Sequence, residues 1–196
     1  MRQLDTGNWE ALMTIPNMEI RSVMNQAMQH WWKDVCIKGY DARKLMDALD
    51  SGEVGRIERE INTVFSEGVS CFDYNEAFYH GTLFALIQTQ TKKVKSNAEF
   101  GNGRSDLVAL WHDKAIVLEL KRVYTSDLKA EKSRNPDKRA REIEDICINA
   151  KLDEARIQIE DKEYQDGVFL AYPAALEIVC YAVAFCGRRC MVRKVG

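Results

Sequence analysis

Ala115-Ile116-Val117-Leu118-Glu119-Leu120-Lys121 is the stretch on which the fold turns. The nearly continuous apolar run before Glu119 reads as a strand buried on both faces, spanning 115–123. Glu119 and Lys121 stand two apart on it, so they point to the same face and set an ammonium beside a carboxylate. A charged pair this late in a buried strand is costly unless it is paired or metal-bound. Upstream, Gly103-Arg104-Ser105-Asp106 leads into a strand over 106–111, and His112-Asp113-Lys114 reads as the tight turn between the two. A hairpin would bring Asp106 and Glu119 to one point. Two carboxylates with a backbone carbonyl and waters suit Mg²⁺ or Mn²⁺, which take oxygen ligands in octahedral geometry. A plainer reading stays open at this point: a buried Glu–Lys ion pair, or a strand end that has reached solvent.

Around this centre the pattern alternates. A helix is expected over 73–88, with Asp73 and Glu76 at capping-box spacing. A strand follows over 92–100, and Gly101-Asn102-Gly103 is a turn signal. Residues 125–141 form a polar stretch of mixed charge broken by Asn135-Pro136, expected to be a solvated loop. A long helix to about Tyr164 carries Ile148, Leu152, Ala155 and Ile159 on one face. After a loop through Pro173, strands over 177–186 and 188–195 form a hairpin about Gly187. Helix, three strands, helix, two strands predicts an α/β (mixed α+β) fold: a central mixed sheet of about five strands flanked by helices.

The first 70 residues read as a helical extension. Ile20, Val23, Met24, Ala27, Trp31 and Val35 recur at helical spacing after Pro16, and Val54, Ile57, Ile61 and Val64 do so again. Ser51-Gly52 separates the second pattern from a short helix about Leu45 to Leu49. Trp31-Trp32 reads as core, with an interface or a base-stacking surface as the sharper alternative. The expected division is therefore 1–70 and 71–196.

The chain has 196 residues, 30% of them charged, and a net charge of −2, so phosphate binding would need a local basic patch. No apolar run approaches the length of a membrane span of about 20 residues, and the start has neither a basic nor an apolar signal region, so no membrane association and a cytoplasmic location are expected. Cys36, Cys71, Cys147, Cys180, Cys186 and Cys190 show no CxxC pair and no zinc spacing, which favours thiols in a reducing compartment.

Taken in order, Glu76-Ala77-Phe78-Tyr79-His80-Gly81, the run from Ser96 through Gly103-Arg104-Ser105-Asp106, Ile116-Val117-Leu118-Glu119-Leu120-Lys121, Ala155-Arg156-Ile157-Gln158-Ile159 with Lys162 and Tyr164, and Ala182-Val183-Ala184-Phe185 resemble the PD-(D/E)xK nuclease superfamily. The likeness covers roughly residues 70 to 196 and, more narrowly, resembles the nuclease-like domain that follows an AAA-ATPase-like module in many bacterial proteins. No GxxxxGK[ST] is present, so the ATPase part is absent from this sequence.

The resemblance implies a restriction-endonuclease-like core and hydrolysis of nucleic acid, DNA rather than RNA, leaving a 5′-phosphate and a 3′-hydroxyl. It implies that Asp106, Glu119 and the Leu120 carbonyl bind Mg²⁺ or Mn²⁺. Lys121 would orient the attacking water and stabilise the phosphorane-like charge. Glu76 would hold a metal-bound water or a second metal, and Gln158 would face the same cleft. Substrate contacts are expected from Arg104, His80, Lys129, Lys132 and Arg134. A homodimer and an ATPase-type partner are the assembly expectations.

Each assignment has a rival. Glu76 fits a capping box, Gln158 a solvated side chain, His80 a satisfied core histidine, and the cluster from Lys129 to Arg141 a solvated loop. A nucleic-acid-binding module without turnover, or a protein-interaction module, stays open beside the nuclease, because fold alone does not decide function.

Overall fold

A computed structural model describes residues 2–3, 9–10, 40–66, 76–100, 103–161 and 164–196. The expected helix through Trp31-Trp32, the Asp73 cap and the Gly101-Asn102 turn lie outside these residues, as do Cys36, Cys71 and Lys162. The chain divides into two compact units, Met1–Gly39 and Tyr40–Gly196. In the first, β1 (Arg2–Gln3) pairs antiparallel with β2 (Trp9–Glu10).

The second unit starts with α1 (Arg43–Ser51) and α2 (Val54–Ser66). Leu45, Met46, Ala48 and Leu49 make the buried stripe of α1, and Ile57, Ile61, Val64 and Phe65 that of α2. Gly52 ends α1 at φ 76°, its N–H donating to the Ala48 carbonyl at 3.1 Å. A β-carbon there would meet no atom nearer than 3.4 Å, so the strain in Gly52→Ala is that of the backbone alone. Gly52→Ala should cost about 1–2 kcal/mol in urea denaturation; an unchanged midpoint would show that the left-handed cap is not needed.

Next comes α3 (Glu76–Gln90), with Tyr79, Thr82, Leu83, Leu86 and Ile87 buried at helical spacing. Three strands follow: β3 (Val94–Phe100), β4 (Gly103–Trp111) and β5 (Lys114–Arg122). β4 begins at Gly103, three residues before the expected start, because Gly103, Arg104 and Ser105 pair with Phe100, Glu99 and Ala98. The chain then enters α4 (Thr125–Arg134), α5 (Ala140–Asp161) and α6 (Tyr164–Ala171), and returns through β6 (Glu177–Cys186) and β7 (Arg189–Val195).

Two expectations need correction here. The polar stretch after Thr125 is helical, not a loop. It is fixed locally, with the Asp127 carboxylate accepting the Tyr124 N–H at 2.8 Å in its first turn, and it ends at Asn135-Pro136. The connection to Pro173 also holds a helix, α6, whose Val168 is fully buried.

The sheet order is β3-β4-β5-β6-β7, antiparallel throughout except for the parallel pair β5 and β6. Such a pair needs a long crossover, and α4 to α6 supply it. Residues on β6 divide between the two faces of the sheet. Cys180, Ala182 and Ala184 are small and lie in the cluster formed with Ile143, Ile148, Leu152 and Ala155 of α5. Tyr181 and Phe185 point the other way, where the Tyr181 hydroxyl donates to the Leu49 carbonyl of α1 at 2.5 Å and Phe185 meets Phe65 and Tyr79. Small residues thus let the 22-residue α5 lie close, and large ones fill the space under α1–α3. This is the mixed five-stranded sheet flanked by helices that the sequence pattern predicts.

Cys147, Cys180, Cys186 and Cys190 are free thiols, and burial pushes Cys180 and Cys186 up to about 11. Among the described residues no helix is long and apolar enough to cross a membrane.

Candidate active site

β4 and β5 meet across His112-Asp113, with His112 at φ 51°, and pair from Trp111↔Lys114 to Leu107↔Leu118. One further step sets Asp106 opposite Glu119. There a side chain bridges the strands: the Asp106 Oδ2 accepts the Leu120 N–H at 2.7 Å. By strand alternation Asp106, Glu119 and Lys121 share the face that carries Val108, Leu110, Ala115 and Val117, the face covered by α5.

Glu119 is 0% exposed, the one charged residue buried among those described. Parallel pairing with Ala182 on its other side fixes its strand from both edges. The Lys121 Nζ donates to its Oε1 at 3.0 Å, and the lysine side chain is one-fifth exposed. The ammonium therefore joins the buried carboxylate to the surface, where a substrate could reach it.

Two residues of α3 approach this group. His80 Nε2 lies 2.9 Å from the Asp106 carbonyl oxygen, so the proton sits on Nε2 and the ring holds the Asp106 backbone. Ser96 Oγ lies 3.2 Å from the same nitrogen. Glu76 opens α3, exposed, and its Oε2 is 3.5 Å from the Tyr124 hydroxyl, a long contact. A carboxylate in the first turn is also favoured by the helix dipole.

Among the described residues, Gln158, Lys129, Lys132 and Arg134 are not drawn into hydrogen bonds with the cluster. Gln158 is half-buried on α5 between buried Ala155 and Ile159. The side chain of Arg104 lies outside the described residues, as does that of Tyr164. Lys129 and Arg134 are exposed on α4, Arg134 lying 3.6 Å from Glu131. Lys132 donates to the carbonyls of Pro136 and Lys138, both at 2.7 Å, and so ties down the turn after its own helix.

Sequence reasoning passed over Arg122 and Tyr124. The Arg122 guanidinium lies 4.3 Å from the centroid of the Tyr124 ring, which is 43% exposed beside Glu76. Their only signal was position, one and three residues after Lys121.

Among the described residues no three His, Cys, Asp or Glu side chains converge on a metal-sized cage. The donors are instead two carboxylates from neighbouring strands and the backbone beside them. That set suits Mg²⁺ or Mn²⁺, since Mg²⁺ is commonly held by one or two carboxylates and keeps several waters. It does not suit zinc, whose structural sites want four nitrogen or sulfur ligands.

A mixed sheet with carboxylates on two adjacent central strands and a lysine two residues after the second defines a restriction-endonuclease-like fold. The chain belongs to the PD-(D/E)XK nuclease superfamily, whose family model matches residues 74–195, more than half of the chain. No curated protein and no solved structure gives a significant match.

Proposed function

We propose that this protein is a metal-dependent nuclease that hydrolyses the phosphodiester bonds of nucleic acid, DNA in preference to RNA, in the cytoplasm. The observation that carries the reading is the fully buried Glu119 carboxylate, 3.0 Å from the Lys121 ammonium and one strand from Asp106. Residues 71–196 form the nuclease domain in this reading, and residues 1–70 an extension to it.

Asp106, Glu119 and the Leu120 carbonyl would hold Mg²⁺ or Mn²⁺, with Glu76 on its water or on a second ion. When bound, the metal lowers the pKa of its water and offsets charge on the scissile phosphate. The Leu120 N–H fixes one oxygen of Asp106, and the other would serve as the acceptor toward the metal. In a strand the N–H and C=O of one residue point to the same neighbour, so the Leu120 carbonyl faces Asp106 as well. His80 keeps the Asp106 backbone in register from behind. Lys121, held by Glu119, donates to the attacking water and to the phosphate oxygen on which charge builds up. The low dielectric around a buried carboxylate strengthens each of these interactions. Gln158 would complete the cleft from α5. Arg104, Lys129 and Arg134 would meet the backbone of the substrate, and two copies of the chain would cut both strands of a duplex.

The closed Lys121–Glu119 pair also fits a second reading, a nucleic-acid-binding or protein-interaction module that keeps the fold without turnover. Supercoiled plasmid, labelled single-stranded DNA and labelled RNA, each incubated in Mg²⁺, Mn²⁺ and EDTA, separate the two. Cutting of DNA in either metal and none in EDTA is the expected result. A protein that cuts no polymer in either metal is not a nuclease, and one that cuts RNA faster than DNA overturns the stated preference.

A further inference from the structure

We propose that a second cleft, between the start of β3 and the turn after α6, holds a phosphate of the nucleic-acid strand flanking the cut. The proposal rests on the nuclease reading above and adds a substrate subsite to it. The cleft has a volume of about 420 Å³ and is lined by Lys92, Lys93, Lys95, Leu110, Tyr172 and Pro173, among others. Three lysines within four residues stand out in a chain whose net charge is −2. Among the described residues none of the three is paired with a carboxylate.

The floor of the cleft carries the second observation. Tyr172 is 5% exposed, and its hydroxyl has no hydrogen-bond partner among the described residues. A buried donor left unmade costs about 1–3 kcal/mol, which a ligand oxygen would recover. The Lys95 Nζ sits 5.5 Å from the centroid of the same ring, over its face. Lysine binds phosphate as a compact point charge, and a hydroxyl donor gives it direction.

The cleft lies on the same side of the sheet as the active site. Lys95 pairs with Val108, and the Lys93 carbonyl accepts the Leu110 N–H at 2.9 Å. By alternation Lys93 and Lys95 therefore share a face with Asp106. Lys95 stands about 7 Å and Lys93 about 13 Å from it along the strand direction, roughly two to four nucleotide steps at about 3.4 Å of helix rise each. A strand laid along β3, the exposed edge of this sheet, would put its reacting phosphate at Asp106 and Lys121 and a neighbouring one at Lys95 and Tyr172. Contacts of this kind position the substrate without reading its sequence.

Lysines on an edge strand such as β3 also guard against edge-to-edge pairing, and the experiment must distinguish that role. Binding of fluorescein-labelled DNA is followed by anisotropy in EDTA, over a series of salt concentrations, for the full chain, Lys93→Gln/Lys95→Gln and Tyr172→Phe. The lysine pair should raise Kd about tenfold near 0.1 M salt and lower the slope of log K against log salt by about 1. Tyr172→Phe should raise Kd about threefold while leaving Tm unchanged or higher, because it removes a buried hydroxyl that has no partner among the described residues.

Parent-like Kd and salt slope in both variants would overturn the subsite and leave the lysines as edge guards, with the nuclease reading intact. A parent that binds inorganic phosphate or adenosine monophosphate as tightly as DNA, with both variants losing only that binding, would make the cleft a small-molecule site and overturn its place on the strand. A parent that neither binds nor cuts nucleic acid would remove the nuclease reading itself.

Discussion

Lys121→Met should cut DNA at least about a hundredfold more slowly than the parent in Mg²⁺, and should be less stable than the parent even without metal. The rate loss is that of removing one preorganised donor from a site where charge develops, typically a factor of about 10²–10³. The stability loss arises because Glu119 stays 0% exposed while its ammonium at 3.0 Å disappears. Removing one partner of a buried pair costs about 3–5 kcal/mol, and the lower end applies because Lys121 keeps a fifth of its side chain in solvent.

Glu119→Gln makes the opposite cut. It should abolish metal-dependent activity as completely, but its effect on stability should be much smaller. The amide keeps the shape of the buried side chain and removes its charge, and the Lys121 ammonium can extend into water. Chemical denaturation of the two variants in EDTA, with single-turnover cleavage in Mg²⁺, measures this asymmetry. Equal destabilisation by the two would show that the pair is not the buried, one-sided arrangement described above. Full activity in either would remove these residues from the mechanism.

The parts of the fold legible in the sequence are those whose residues carry their own periodicity. The apolar run before Glu119, the stripe Ile148, Leu152, Ala155 and Ile159, and the terminal hairpin about Gly187 each announce an element without help from the rest of the chain. The α4 helix does not, because none of its residues is buried and it has no apolar stripe to read. Its helical state depends on the Asp127 cap and on Lys132 holding the turn beyond it, both local polar contacts that composition conceals. Short α6 hides for a different reason: eight residues give too few turns for a pattern.

The site divides in the same way. Asp106, Glu119 and Lys121 are set by strand alternation across one hairpin, so their shared face follows from counting residues. The bond from His80 to the Asp106 carbonyl and the meeting of Glu76 with Tyr124 join segments 26 and 48 residues apart. Their geometry depends on how α3 packs, which no local pattern encodes. The Tyr172 hydroxyl, which has no partner among the described residues, is equally invisible, since an orphan is recognised only when its surroundings are known.

That packing can be tested at Phe185, where an alanine should cost about 4 kcal/mol, a value within the usual range of about 3–5 for a buried phenylalanine. Phe185 is fully buried, stacked on Tyr79 at 4.1 Å between ring centroids and 11° between planes, with Phe65 edge-on at 5.2 Å. Aromatic pairs add about 0.5–1.5 kcal/mol beyond their burial, and this ring makes two of them. The three rings tie α2 and α3 to the end of β6. The Tyr79 hydroxyl reinforces the tie by donating to the Gly187 carbonyl at 2.8 Å, and the Phe185 carbonyl accepts the Val123 N–H at 2.7 Å just beyond β5. Loss of the ring should lower Tm by roughly 10–15 °C for a domain of this size. It should also slow cutting well below the melting range, because α3 carries His80 and Glu76 to the site. Phe185→Leu, which keeps most of the volume but loses both ring pairs, should cost about 1–3 kcal/mol and cut at the parental rate. A Phe185→Ala protein that melts with the parent would show that the cluster does not hold these helices. One that melts early yet cuts at full rate when folded would show that α3 keeps its place by other contacts, and that His80 supports Asp106 without help from the aromatic cluster.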